Sequence, residues 1–161
     1  MLRIIVIGSC LMAVDLLALG QAAAAGPKYT ARTATLPSIE IRSDEPEVDA
    51  FLIMTCVAPL TLDVRFGGEI PKGKGELDPD SLTLSDGTLT TKVVGASVKS
   101  PDVEMTGGAM VLTSLQAKGR ALSILTSGRP IEIKPATGAS SKVTLGKPAT
   151  DALKAFIAKC S

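Results

Sequence analysis

The first 25 residues do most to limit what this chain can fold into, because they read as an export leader and not as part of a core. Met1-Leu2-Arg3 is a short positive start, Ile4 to Leu19 is mostly apolar, and Gln21-Ala22-Ala23-Ala24-Ala25-Gly26 supplies small residues for a signal peptidase. Asp15 interrupts the apolar run and an Ala-rich cut site follows it, so no membrane span is counted there. Cys10 has only a few apolar residues before it, which makes lipoprotein cleavage a poor second choice. Processing after Ala25 would leave 136 residues, enough for one core and too few for two comfortable domains. The expected destination is the periplasm or the cell exterior, with no transmembrane span in the mature chain.

Export also sets the redox chemistry. Cys56 and Cys160 are the two cysteines left, and an even pair in a small exported domain most simply forms one disulfide. The bridge would close a loop of about 100 residues, for which the chain-entropy estimate is on the order of 4–5 kcal/mol. Two buried free thiols are the alternative. A redox pair fits less well, since no Cys-x-x-Cys turn lowers either pKa.

The chain has no Trp, one Tyr and three Phe, so its core must be built from Leu, Val, Ile, Met and Ala. Sugar and single-strand nucleic-acid sites usually lean on aromatic faces, so neither partner is expected. Charge is unevenly spread. Residues 26–86 hold six Lys/Arg and eleven Asp/Glu, for −5, whereas residues 87–161 hold ten and four, for +6. Such polarity can steer a partner, but interleaving of strands from the two halves would mix the charges over the surface.

Residues 26–46 are rich in Thr, Ala, Ser and Pro and read as an extended arm, with Leu36, Ile39 and Ile41 supplying one short strand. Ser43-Asp44-Glu45-Pro46-Glu47 looks like a helix start, and Val48, Phe51, Leu52 and Thr55 follow at helical spacing. A helix to about Cys56 is therefore the first choice, although Phe51-Leu52-Ile53-Met54 would also suit a buried strand. Leu60, Leu62, Val64 and Phe66 alternate with polar residues and predict a strand buried on one face. Gly67 to Asp80 reads as a surface loop. Asp86-Gly87 predicts a two-residue hairpin turn between strands at 82–85 and 88–94, and a further strand is expected at 97–105, broken by Pro101.

The second half of 106–118 looks helical, with Gly119 just past its end. Strands are expected at 121–125, 131–134 and 143–145. The last helix is the clearest element: Leu153, Phe156, Ile157 and Cys160 fall at i, i+3, i+4 and i+7. The expected fold class is α+β, with a mainly antiparallel sheet or partly closed sandwich. A C-terminal helix and one or two further short helices would cover it. The expected division is leader 1–25, arm 26–46 and a single domain 47–161.

The chain has no His, which removes the usual general base, the Ser-His-Asp triad and the commonest zinc ligand. Gly68-Glu69-Ile70-Pro71-Lys72-Gly73-Lys74-Gly75 has the spacing of a phosphate loop. Gly75 stands where the hydroxyl belongs, and a flexible charged loop is the simpler reading. Asp78, Asp80 and Asp86, with Glu76, invite calcium but lack the third ligand, turn Gly and twelfth-position Glu of an EF-hand. Ser97-Val98-Lys99 and Ser141-Lys142 lack the Ser-x-x-Lys helical spacing. Met105 and Met110 flank Gly107-Gly108 and read as core filling before copper ligation. No catalytic residue, cofactor or metal is expected.

Met110-Val111-Leu112-Thr113-Ser114-Leu115, Gly119, Leu122-x-Ile124, Val143-x-Leu145-Gly146, Ala152-Leu153 and Phe156 resemble the ending of small exported proteins of the invasion-associated locus B type. The resemblance covers the C-terminal third and implies a β-rich periplasmic domain, with no catalytic residues to carry over. The leading expectation is a non-enzymatic exported domain that binds a protein or envelope component. A carrier of a small apolar ligand and a hydrolase without a recognisable motif are the alternatives.

Overall fold

The clean alternation at 60–66 becomes a central strand, β4 (Thr61–Phe66), in which Leu62, Val64 and Phe66 are fully buried and Thr61, Asp63 and Arg65 face the other way. The computed structural model describes residues 28–33, 37–43, 48–67, 75–106 and 108–160, so the leader and most of the Gly68–Gly75 loop lie outside it. The other strands are β1 (Lys28–Thr33), β2 (Pro37–Arg42), β3 (Leu52–Ala58), β5 (Pro79–Ser85), β6 (Thr90–Lys99), β7 (Ala109–Gln116), β8 (Pro130–Pro135) and β9 (Ser141–Thr144). They form one sheet in the order β1-β2-β3-β4-β7-β6-β5-β8-β9, every pairing antiparallel. The sheet curls into a half-barrel. Three helices complete the described chain: the single turn α1 (Val103–Thr106), α2 (Arg120–Leu125) and α3 (Lys147–Cys160). The α+β expectation holds coarsely, since sheet dominates.

The last helix forms where its spacing predicts, although it begins at Lys147, ahead of Pro148. Leu153, Phe156 and Cys160 are buried on the core side, and Ile157 is half-buried beside them. Pro is tolerated in a first turn, where its missing N–H would have no partner. Ile39, Ile41, Leu52, Met54, Leu82, Leu84, Ile131 and Ile133 of the sheet share one cluster with the buried residues of α2 and α3, giving the aliphatic core that the composition demands. The segment read as an extended arm enters the sheet. Ile39 and Ile41 lie on β2, and β1 pairs outside it from Lys28↔Arg42 to Thr33↔Pro37.

Three sequence expectations are corrected. The helix to Cys56 is not formed; 52–58 is the strand β3, the second choice. Its apolar run is held between β2 and β4, and two inter-strand ladders outweigh the local helix-start signals. The helix expected in 106–118 is the strand β7, again held between two neighbours, β4 and β6. The strand expected at 121–125 is the helix α2, which buries Ala121, Leu122, Ile124 and Leu125 while Ser123 stays exposed. Gly119 precedes that helix and does not terminate an earlier one.

The hairpin at Asp86-Gly87 forms with its turn one residue later. Gly87 (φ 82) and Thr88 are the central pair, closed by the Asp86 N–H donating to the Leu89 carbonyl at 3.1 Å. Glycine at the first central position is what a type II′ turn requires. Asp86 Oδ1 also accepts from the Thr88 and Leu89 amides at 2.9 and 2.7 Å. Strand β6 runs unbroken from Thr90 to Lys99, so the separate strand expected at 97–105 is its continuation, ending before Pro101.

Among the described residues the charges of the connections sort by end, although Arg42 and Lys99, the last residues of β2 and β6, pair with Asp102 and Glu76 at the acidic one. The connections where β2, β4, β6 and β8 finish carry Asp49, Glu76, Asp78, Asp102 and Glu104 and, among the described residues, no Lys or Arg. The connections and helices at the opposite end carry Lys118, Arg120, Arg129, Lys147, Lys154 and Lys159 against Asp86 and Asp151.

Candidate functional site

The basic end is organised around α2. After β7 the chain turns through Ala117, Lys118 and Gly119, and the Ala117 N–H donates to the Leu60 carbonyl at 2.8 Å. The Ser123 hydroxyl donates to the Gly119 carbonyl at 3.1 Å, and the Thr126 hydroxyl to the Leu122 carbonyl at 2.8 Å. Its buried face pins this short helix inside the half-barrel, so Lys118 and Arg120 are left on the exposed side.

Three hollows adjoin around it. One of about 350 Å³ has Lys92, Lys118 and Arg120 among its lining residues, with Thr91, Ser114 and Gln116. The next, about 390 Å³, shares Lys118 and adds Lys154. A third, about 380 Å³, shares Lys154 and adds Lys147 and Asp151. Asp151 is bonded to Lys147, which holds its carboxyl below the ordinary range. The five cations come from β6, the β7–α2 turn, α2 and α3. Five like charges on adjoining hollows favour an anionic partner over a neutral one.

The first hollow opens because the sheet splits. β6 pairs with β5 as far as Thr90, and β7 with β4 as far as Gln116, but β6 and β7 pair only over Ala96–Lys99 and Ala109–Leu112. At the end of that ladder Gly95 permits a close approach: a Cβ there would stand 2.1 Å from the Leu112 carbonyl oxygen. Beyond it the Thr113 hydroxyl donates to the Val94 carbonyl at 2.8 Å. The Val94 carbonyl therefore faces β7 and the Leu112 carbonyl faces β6. By the two-residue period of a strand, the backbones of Lys92, Ser114 and Gln116 face the gap as well. Ala121 and Leu122 of α2 also line the hollow.

The opposite, acidic end is tied to itself. Ser100 donates its hydroxyl to buried Asp49, and the Asp102 amide donates to that hydroxyl at 3.2 Å. Arg42 sits between Glu40 and Asp102 at 2.5 and 2.6 Å. Burial works against the Arg42 charge, but its bonds to Asp102 and Glu40 outweigh that and raise its pKa. These contacts anchor the loop from β6 to β7.

The residues singled out from sequence fall as follows. Cys56 and Cys160 are joined, with Cα atoms 5.7 Å apart, and the bridge ties the end of α3 to β3. Asp78 accepts from the Gly75 amide at 2.7 Å, Asp80 from the Ser81 amide at 2.7 Å, and Asp86 serves its turn, so the three spread over separate backbone sites. Among the described residues no group of three acids, Cys or His is placed to hold a metal ion. Ser97 is buried on β6 beside Asp78, while Ser141 and Lys142 lie on β9 opposite Ile133 and Glu132. Met110 is a fully buried core residue, and Met105 lies in α1.

These features define a half-barrel domain with a disulfide-anchored helix and a basic end. Compared with known proteins, the chain matches no family model, no curated protein and no solved structure.

Proposed function

We propose that this chain is a small exported, non-enzymatic domain that binds an anionic component of the cell envelope through the face around α2. The observation that carries the reading is the convergence of Lys92, Lys118, Arg120, Lys147 and Lys154 on three adjoining hollows whose one carboxylate, Asp151, is already bonded to Lys147. The cross-link between Cys56 and Cys160 supports an oxidising destination. Among the described residues no helix is long and apolar enough to cross a membrane. The resemblance of the C-terminal third to invasion-associated locus B-like proteins agrees with an envelope setting.

The test is co-sedimentation of the oxidised mature protein with an envelope fraction, compared with a Lys118→Glu/Lys154→Glu variant. Both side chains are exposed, so the variant should keep its melting temperature while losing retention. Equal retention of the two proteins would show that this face does not bind.

A further inference from the structure

We infer that the gap between β6 and β7 is a slot for an extended, acidic polypeptide segment that adds to the sheet as an extra strand. The inference rests on the basic-face reading and specifies the partner of that same site. Three observations converge on it. First, both walls are strand edges: the ladder stops at Ala96↔Leu112, although β6 and β7 each continue paired on their outer sides. Backbone groups of Lys92, Ser114 and Gln116 thus face the gap, and such edges recruit a strand through main-chain hydrogen bonds. Secondly, beyond the Val94–Thr113 contact the gap flanks residues 91–93, which at about 3.3 Å per residue is roughly 10 Å, enough for about three residues of a guest strand. Thirdly, its charged lining residues are Lys92, Lys118 and Arg120, with no carboxylate among them.

A guest strand would present alternate side chains outward, beside Lys92 and exposed Val94, and the others inward, towards Ala121 and Leu122 of α2. The matching sequence therefore alternates acidic with small apolar residues. A compact anion would satisfy the three cations but would leave both strand edges unused, which is why the polypeptide is favoured over a phosphate or a lipid headgroup.

The probe is a fluorescein-labelled eight-residue peptide of alternating glutamate and valine with blocked ends, titrated with the oxidised mature protein and read by anisotropy. A saturable rise is expected. It should weaken at least about tenfold in Lys92→Glu/Arg120→Glu, whose exposed side chains leave the melt unchanged, and weaken again with added salt. The same peptide N-methylated at alternate residues keeps its charge but loses half its backbone donors, and it should bind at least about tenfold more weakly. Equal binding of the methylated peptide would overturn strand addition. Binding to phosphatidylglycerol vesicles without binding to the peptide would overturn the polypeptide partner. If the peptide fails while Lys118→Glu/Lys154→Glu still abolishes envelope retention, this inference falls and the basic-face reading stands. If that charge reversal leaves retention intact, the reading itself falls.

Discussion

Reducing the Cys56–Cys160 bond should remove about 4–5 kcal/mol of stability without dissolving the fold. The bridge spans a sequence separation of 104 residues. Cross-linking a loop of about that size removes conformational entropy from the unfolded chain worth roughly 4.7 kcal/mol at 25 °C. The folded side should lose little. The Leu60 N–H still donates to the Cys160 carbonyl at 2.8 Å, and Leu153 and Phe156 still anchor α3 in the core. With a typical net stability of about 5–15 kcal/mol, the reduced protein should remain folded but marginal.

The assay is urea unfolding of oxidised and reduced protein side by side, with a Cys56→Ala/Cys160→Ala variant as control. An unfolding entropy of about 2.1 cal/mol/K per residue converts the loss into a fall in melting temperature of about 14–18 °C. The reduced protein should also show the steeper denaturant dependence, because its unfolded chain exposes more surface when the loop is open. A difference below about 1 kcal/mol, or a steeper slope for the oxidised form, would refute the argument that the bridge acts by restricting the unfolded chain.

Three further outcomes follow from the same structure. Phe156→Ala should lower stability by about 3–5 kcal/mol in a thermal or urea melt, because the ring closes the core beneath α3 and is 8% exposed. Asp86 has its pKa lowered by the Leu89 and Thr88 amides, against the opposing effect of burial. Its contribution is therefore present above the ordinary carboxylate value near 4 and is lost as pH falls through the depressed folded value. Asp86→Asn should accordingly melt below the wild type at pH 7, with the gap closing on acidification, and a pH-independent gap would contradict that assignment. Mass spectrometry of protein from its native host should show a chain beginning within residues 25–27, and an intact Met1 or a lipid on Cys10 would overturn the leader reading.

What could be read from the sequence was set by how far each element depends on its neighbours. β4 and α3 each bury one face, so Leu62, Val64 and Phe66 on one, and Leu153, Phe156 and Cys160 on the other, print their period directly. β3 and β7 instead carry apolar, half-buried Ile53 and Leu112 on the second face, where β4 has polar residues, so their runs Leu52-Ile53-Met54 and Met110-Val111-Leu112 show no alternation to set against a helix. Segment 121–125 did hold a usable signal: Ala121, Leu122, Ile124 and Leu125 follow a helical rhythm and not an alternating one. The basic face was invisible locally because Lys92, Lys118, Arg120, Lys147 and Lys154 are scattered along the chain and meet only after folding. The +6 balance of the second half was its one trace in the sequence. The disulfide was legible because elimination left a single pair.

Gly95 stands where the β6–β7 ladder ends, and its replacement gives the sharpest check on that geometry. An exchange of Gly for Ala in an unstrained site stabilises by about 0.4–1 kcal/mol, by restricting the unfolded chain. Here the new methyl group would lie 2.1 Å from the Leu112 carbonyl oxygen and 3.1 Å from the Val111 side chain. The oxygen belongs to the backbone of a strand paired with β4 from Thr61 to Phe66, so it cannot swing aside alone. β6 must therefore move off β7, or the whole edge of the sheet must shift, at about 1–3 kcal/mol. The sign of the effect is thus reversed from the ordinary case. Hydrogen exchange should locate the damage: amides in 96–99 and 109–112 should exchange faster, while those that pair β4 with β3 keep their protection. A stabilised Gly95→Ala protein with unchanged exchange would mean that the two strands are not pinched at this point.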